Sequence, residues 1–148
     1  MDKEIGKFFK YPKKNERFGE GGLRIKNINK KPKFSLITVV LNNKELLEKT
    51  IKSVFNQNFK NFDYIIIDGG SNDGTLEILK KYNDKIDYWL SERDNGIYDA
   101  FNKGMELSKG EYLGIINSDT LLAVYSEVSN LTSLCASVAT NLRESLLN

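Results

Sequence analysis

The sequence predicts an α/β fold built on an open, mostly parallel sheet. Three observations carry that prediction. Apolar, β-branched runs stand at Phe34 to Leu41, Phe62 to Ile67 and Tyr112 to Ile116, as strands buried on both faces require. Between them the apolar residues recur at steps of three and four, the period of an amphipathic helix. Two of the runs also end on a carboxylate set among small residues: Asp68 before Gly69-Gly70, and Asp119 after Asn117-Ser118. In open α/β sheets ligands bind outside the carboxyl ends of the strands. Both acids are therefore expected at a ligand crevice.

Taken in order, residues 1–33 show no steady period and are punctuated by Pro12, Gly19, Gly21-Gly22 and Pro32. They read as an irregular extension with one short element near Leu23 to Ile28. Phe34 to Leu41 is the first buried strand. Asn42-Asn43 are suited to cap the helix after them. Leu46, Leu47, Thr50, Ile51, Val54 and Phe55 mark that helix to about Asn56. Phe62 to Ile67 is the second strand, broken by the glycine-rich turn at Asp68-Gly69-Gly70. Leu76, Leu79 and Tyr82 give a helix over Thr75 to Tyr82. Ile86 to Leu90 is a short third strand and Ser91 to Gly96 a polar loop. Ile97, Ala100, Phe101, Gly104 and Leu107 share one side of a third helix, and Tyr112 to Ile116 is the fourth strand. Strand and helix alternate throughout, which is the doubly wound pattern with right-handed crossovers.

The chain changes character after Asp119. Residues 121–148 hold few charges, and Leu121, Val124, Val128, Leu131, Cys135, Val138 and Leu142 form a stripe of helical period. Their Ser, Thr, Asn and Val content makes a mediocre helix former. The expected organisation is a basic extension (1–33), a sheet-forming region (34–120) and a helical tail (121–148).

Composition removes several function classes. With no histidine and one cysteine among 148 residues, a zinc site, a Ser-His-Asp triad and a Cys-His pair are all out of reach. A metal would be a hard cation on oxygen ligands, magnesium or manganese. There is no GxGxxG after the first strand and no GxxxxGK[ST], so neither a dinucleotide fingerprint nor a P-loop is present. A phosphoacceptor receiver would need an acid cluster after its first strand, where Leu41-Asn42-Asn43-Lys44 stands. The charge is uneven. Residues 1–33 carry eleven Lys or Arg against four acids, net +7, and residues 34–148 eleven against sixteen, net −5. The basic arm reads either as a solvated leader or as a peripheral contact with anionic lipid; nucleic acid is not expected as a partner. The charged N-terminus lacks a signal-peptide core, and no run approaches the ~20 apolar residues of a membrane helix. The expected location is cytoplasmic, at or near the inner face of the membrane.

Each candidate site residue has a bland reading beside a functional one. An Asp after a strand is a common turn former, but Gly69-Gly70 lets a ligand approach the backbone closely. Asp68 is therefore expected to contact ligand, and Asp73 to cap the next helix. Asp119, with Asn117 and Ser118, is suited to hold a magnesium-like ion, which keeps waters and takes its other oxygens from phosphates. Asp94 and Asp99 in and after the SERDNG loop, with Asn102 and Lys103 one turn later, are coherent as a phosphate site. Helix capping and dipole compensation explain the two acids equally well.

The stretches FSLITVVLNN, SVFNQNF, YIIIDGGSNDGT, SERDNGIYDAFNKGM and GEYLGIINSD resemble glycosyltransferase family 2, inverting enzymes of the GT-A fold, in the family's order and spacing over about residues 34–119. The resemblance implies transfer of a sugar from a nucleotide-diphosphate sugar to a glycan or lipid-linked acceptor, in bacterial surface polysaccharide synthesis. It implies that the start of the first helix, at Asn42, and Asp68 border the nucleoside. It implies that Asp94, Asp99, Asn102 and Lys103 line the donor side. It sets Asn117-Ser118-Asp119 at the DxD position, with Asp119 nearest the metal and diphosphate. Two departures accompany it. Thr120 stands where the family usually has a second Asp. The family also continues past this point into an acceptor half that supplies the general base, and residues 121–148 do not resemble that half. The chain thus reads as the nucleotide-binding half of a transferase; the competing reading is a truncated, non-catalytic remnant that at most binds nucleotide sugar.

Overall fold

The computed structural model describes residues 5–13 and 16–119. The three apolar runs become neighbouring strands, β2 (Phe34–Val40), β3 (Phe62–Asp68) and β5 (Tyr112–Ile115). They are joined by β1 (Arg17–Gly21) and β4 (Tyr88–Glu92) in one five-stranded sheet of order β1-β4-β3-β2-β5. All pairings are parallel except β1 with β4. The predicted helices are α1 (Lys44–Phe55), α2 (Thr75–Lys81) and α3 (Ile97–Leu107). Thr120 and the predicted helical tail lie outside the described residues.

Side chains alternate between the two faces of the sheet, as the strand period demands. Phe34, Leu36 and Val40 of β2, Phe62, Tyr64 and Ile66 of β3, and Trp89 of β4 join Leu47, Ile51 and Val54 of α1 and Leu79 of α2. Ile37 and Val39, Ile65 and Ile67, and Tyr88 and Leu90 face the other way and meet Ala100 and Leu107 of α3. Burial of each Val, Leu, Ile or Phe among them stabilises the fold by roughly 1.5–3 kcal/mol. Two cores on opposite faces thus hold the strand ends level.

The sheet winds both ways from β2. The chain steps through β3 to β4 on one side, then returns across α3 to place β5 on the other side of β2. The carboxyl ends of β2 and β5 therefore flank a topological switch point, where such sheets open a crevice.

The N-terminal segment differs from the irregular extension the sequence predicts. The expected short element is present as a 3-10 turn (Leu23–Lys26), but residues 17–21 add an antiparallel edge strand. Gly19 permits this: a Cβ there would sit 3.1 Å from the Trp89 ring. Much of the basic charge is also matched to acids of the sheet region. Arg24, 4% exposed, pairs with buried Asp63, and Arg17 pairs with buried Glu92. Lys26, Lys30 and Lys33 reach Asp84, Asp87 and Glu111. The charge asymmetry of the sequence is thus partly complementarity within one fold. The Arg24 guanidinium also donates to Leu107 O at 2.7 Å and Phe9 O at 3.2 Å. Ser35 Oγ donates to Asp63 and accepts the backbone N–H groups of Lys109 and Gly110. Burial pushes the Asp63 carboxyl up, against the Ser35 hydroxyl and the Arg24 cation.

Candidate functional site

A cavity of about 270 Å³ lies at the switch point, lined by Val39, Val40 and Leu41 from the end of β2, Asp94, Gly96, Ile97 and Ala100 from the loop into α3 and its first turns, and Asn117, Ser118 and Asp119 after β5. The structure thus brings together three of the residues singled out in the sequence: Asp94, Asn117 and Asp119.

Local contacts set the position of each. Ile116 N–H donates to Ile37 O at 2.9 Å, extending the β2–β5 pairing by one residue. Ser118 is then held by α1: Thr50 Oγ1 donates to its carbonyl at 3.0 Å and Asn43 Nδ2 to its hydroxyl at 3.3 Å. Asp119 comes next and is exposed. Asp94 is fixed across the cavity by Gly96 N–H, which donates to Oδ1 at 3.0 Å. The wall between carries Ile97, where α3 begins. A helix amino end carries partial positive charge and unpaired N–H groups, both favourable to an anion.

Asp68 is placed differently from the expectation of a ligand-facing carboxylate. It is fully buried and does not line the cavity. Its oxygens accept Ser71 N–H at 3.2 Å, Ser71 Oγ at 2.5 Å and Ser91 Oγ at 2.6 Å. It shapes the glycine loop from beneath. Asn42, with φ of 51°, ties that loop to β2: its N–H donates to Ser71 Oγ at 2.7 Å and its Oδ1 accepts Asn72 N–H at 2.8 Å. The expected side-chain cap of α1 by Asn42-Asn43 is not what forms. Asp73 accepts Lys44 N–H at 3.0 Å instead, together with Thr75 N–H and Oγ1, and so serves the starts of α1 and α2 at once. Burial acts to raise the Asp73 carboxyl, but the Thr75 hydroxyl and the Lys44 and Thr75 N–H groups outweigh it and hold it below the usual range.

Lys103 also departs from the expectation of a donor-lining cation. It is 2% exposed, with Nζ 2.9 Å from Glu92 Oε1, 3.5 Å from Asp99 Oδ2 and 3.3 Å from Arg93 O. Asp99 in turn accepts Asn95 N–H at 3.0 Å. The predicted polar loop begins later than expected, because Ser91 and Glu92 are the buried last residues of β4. Glu92 is the residue that sequence reasoning missed: fully buried, it also takes Arg17 Nε and Nη2 at 3.1 and 3.0 Å. Arg17, Glu92, Lys103 and Asp99 therefore form one charge relay beneath the loop that carries Asp94. Asn102 is half-buried on α3 and does not line the cavity.

No group of three or more Asp, Glu, His or Cys gathers as a metal cage among the described residues. A magnesium-like ion takes one or two carboxylates and completes its shell with water and phosphate. The carboxylates of Asp119 and Asp94 on one cavity, with Asn117 and Ser118 oxygens beside them, are a donor set of that hard type.

Comparison with known proteins agrees with the architecture. The family model for glycosyl transferase family 2 matches residues 35–128. The chain is 41% identical over 95 residues to the poly(ribitol-phosphate) beta-N-acetylglucosaminyltransferase TarP of Staphylococcus aureus, covering 61% of this chain and 29% of that one. It is 38% identical over 88 residues to an uncharacterized glycosyltransferase of Mycobacterium tuberculosis, covering 59% of this chain and 34% of the relative. The chain thus spans a third or less of the length of these two relatives, within a percentage point. Among solved structures, S. aureus TarS in complex with UDP-GlcNAc superposes with a TM-score of 0.53 at 26% identity, over 59% of this chain and 26% of that one. The mannosyltransferase PcManGT of Pyrobaculum calidifontis, in complex with GDP-Man and Mn2+, shares the fold with a TM-score of 0.56 at 20% identity, over 66% of this chain and 29% of that one. The sheet has the architecture of a GT-A fold, and the chain belongs to glycosyl transferase family 2.

Proposed function

We propose that the chain binds a nucleotide-diphosphate sugar at the cavity between β2 and β5 and serves as the donor half of an inverting glycosyltransferase. The observation that carries this reading is the convergence of Asp94, Asn117 and Asp119 with the amino end of α3 on one cavity at the switch point. Asp119 and Asp94, with Asn117, would hold a divalent cation. When bound, it supplies positive charge that offsets what develops on the departing diphosphate. The residues themselves do the rest. Thr50 and Asn43 hold Ser118 and so fix the direction of Asp119. Asp68 and Asn42 shape the loop beside the nucleoside. The Arg17–Glu92–Lys103–Asp99 relay fastens β1, β4 and α3 to one another beneath that site.

The acceptor in this reading is a glycan or lipid-linked sugar met at the inner face of the membrane. Its support is the naming of relatives such as TarP and a Campylobacter jejuni glucosyltransferase of an undecaprenol-linked glycan. Transfer also needs a base to take the proton of the attacking hydroxyl, and none is assigned among the described residues. Donor binding is the part of the reaction that these residues carry. Calorimetric titration of the chain with UDP, with and without manganese, tests it. Metal-dependent binding supports the reading, and a folded chain that binds nothing removes it.

A further inference from the structure

The ladder between β1 and β4 slips at one residue. Arg17 lies opposite Glu92, and Gly19 lies opposite Ser91. Two steps on β1 thus match one on β4, and Phe18 is the extra residue of a β-bulge. Bulges re-aim a side chain and are common beside active sites. Here the ring is left 42% exposed, while every residue of the β4 partner strand is buried.

The ring comes to rest over Gly70. A Cβ at Gly70 would lie 3.0 Å from Phe18 Cε2 and 3.5 Å from Arg93 Cγ, and Gly70 has φ of 89°. An exposed aromatic ring and the stem of an arginine thus flank bare backbone at the carboxyl end of β3. A Cβ at the neighbouring Gly69 would lie 2.6 Å from the carboxylate of Asp94, a residue that lines the cavity. Polar groups suited to a nucleoside stand on the same loop, with Ser71 half-buried and Asn72 exposed.

Resting on the donor-binding reading, we infer that Phe18 is a stacking wall for the planar base of the nucleoside diphosphate, and so a binding residue contributed by the N-terminal strand. Phe18 precedes the span matched by the family model. The chemistry needs only a flat, apolar face next to the diphosphate site, since every base has a π-face and gains by stacking.

The test compares wild type, Phe18→Ala, Phe18→Leu and Phe18→Tyr for binding of UDP and of inorganic pyrophosphate, both with manganese, by calorimetry. The expected result is UDP binding about tenfold weaker in Phe18→Ala and Phe18→Leu, kept in Phe18→Tyr. Pyrophosphate binding should be unchanged in all four. UDP binding by Phe18→Ala equal to wild type overturns the inference. So does a parallel loss of pyrophosphate binding, which would make the ring a support for the loop. So does full binding by Phe18→Leu, which would make it only apolar bulk. A folded wild type that binds neither probe overturns the donor-binding reading itself, a different result from any of these.

Discussion

Gly69 and Asp94 are matched in size: a Cβ at Gly69 would stand 2.6 Å from Asp94 Oδ2, well inside van der Waals contact. The loop after β3 and the loop after β4 are thus fitted to each other at the edge of the cavity. Gly69→Ala should push the Asp94 carboxylate out of place. The expected outcome is UDP–manganese affinity lowered about tenfold, with a melting temperature close to wild type. Titration calorimetry beside thermal unfolding reads both.

Lys103 distinguishes two roles on one measurement pair. As a member of the buried relay with Glu92, its loss leaves a carboxylate with only Arg17 as partner. Breaking a buried pair costs about 3–5 kcal/mol, and the remaining arginine puts Lys103→Met at or below the low end. Urea unfolding should show that loss, while the UDP affinity of the folded fraction changes little. A lysine acting directly on phosphate would give the reverse pattern.

Arg24 and Asp63 form the corresponding lock at the other end of the sheet. Arg24→Met should cost about 3–5 kcal/mol, because it leaves Asp63 charged and buried. The deficit should depend on pH. The native Asp63 carboxyl lies above its ordinary value of 3.8, so the native state holds the proton more tightly than the unfolded one. Its contribution is fully present below that value and is lost as pH rises through the native one. Removing Arg24 raises the native value further. The gap between variant and wild type should narrow toward acid pH, where Asp63 is neutral, and widen above it.

Glu48 should act with the opposite sign. Hydrogen bonds from Lys81 Nζ and Tyr82 OH hold its carboxyl down at about 2. Stability linked to a depressed carboxyl is present above the ordinary value of 4.5 and is lost as pH falls toward the native one. Glu48→Gln should flatten the acid limb of the stability curve, as read by unfolding at a series of pH values.

These residues also mark what the sequence makes legible. The central strands come from unbroken apolar runs, because β2 and β3 are buried on both faces, and the three helices from periodicity, as where α1 buries Leu47, Thr50, Ile51 and Val54 at helical spacing. Asp94, Asn117 and Asp119 are legible as residues at strand ends. β1 is not, since the sequence RFGEG has the glycines of a loop and owes them to the Trp89 ring it covers. Ser91 and Glu92 read as loop because they are polar, and only their buried partners Asp68, Arg17 and Lys103 explain them as strand. Asp68 and Lys103 sit where expected along the chain, but which way each carboxylate or ammonium turns is settled by residues far off in sequence.

Donor binding rests most directly on Asp119. Purified wild type and Asp119→Ala should be titrated with UDP, each with and without manganese. The predicted result is binding by wild type that depends on manganese, and its loss in Asp119→Ala with unfolding behaviour unchanged. Equal, metal-dependent binding by Asp119→Ala would contradict a donor site built on this carboxylate.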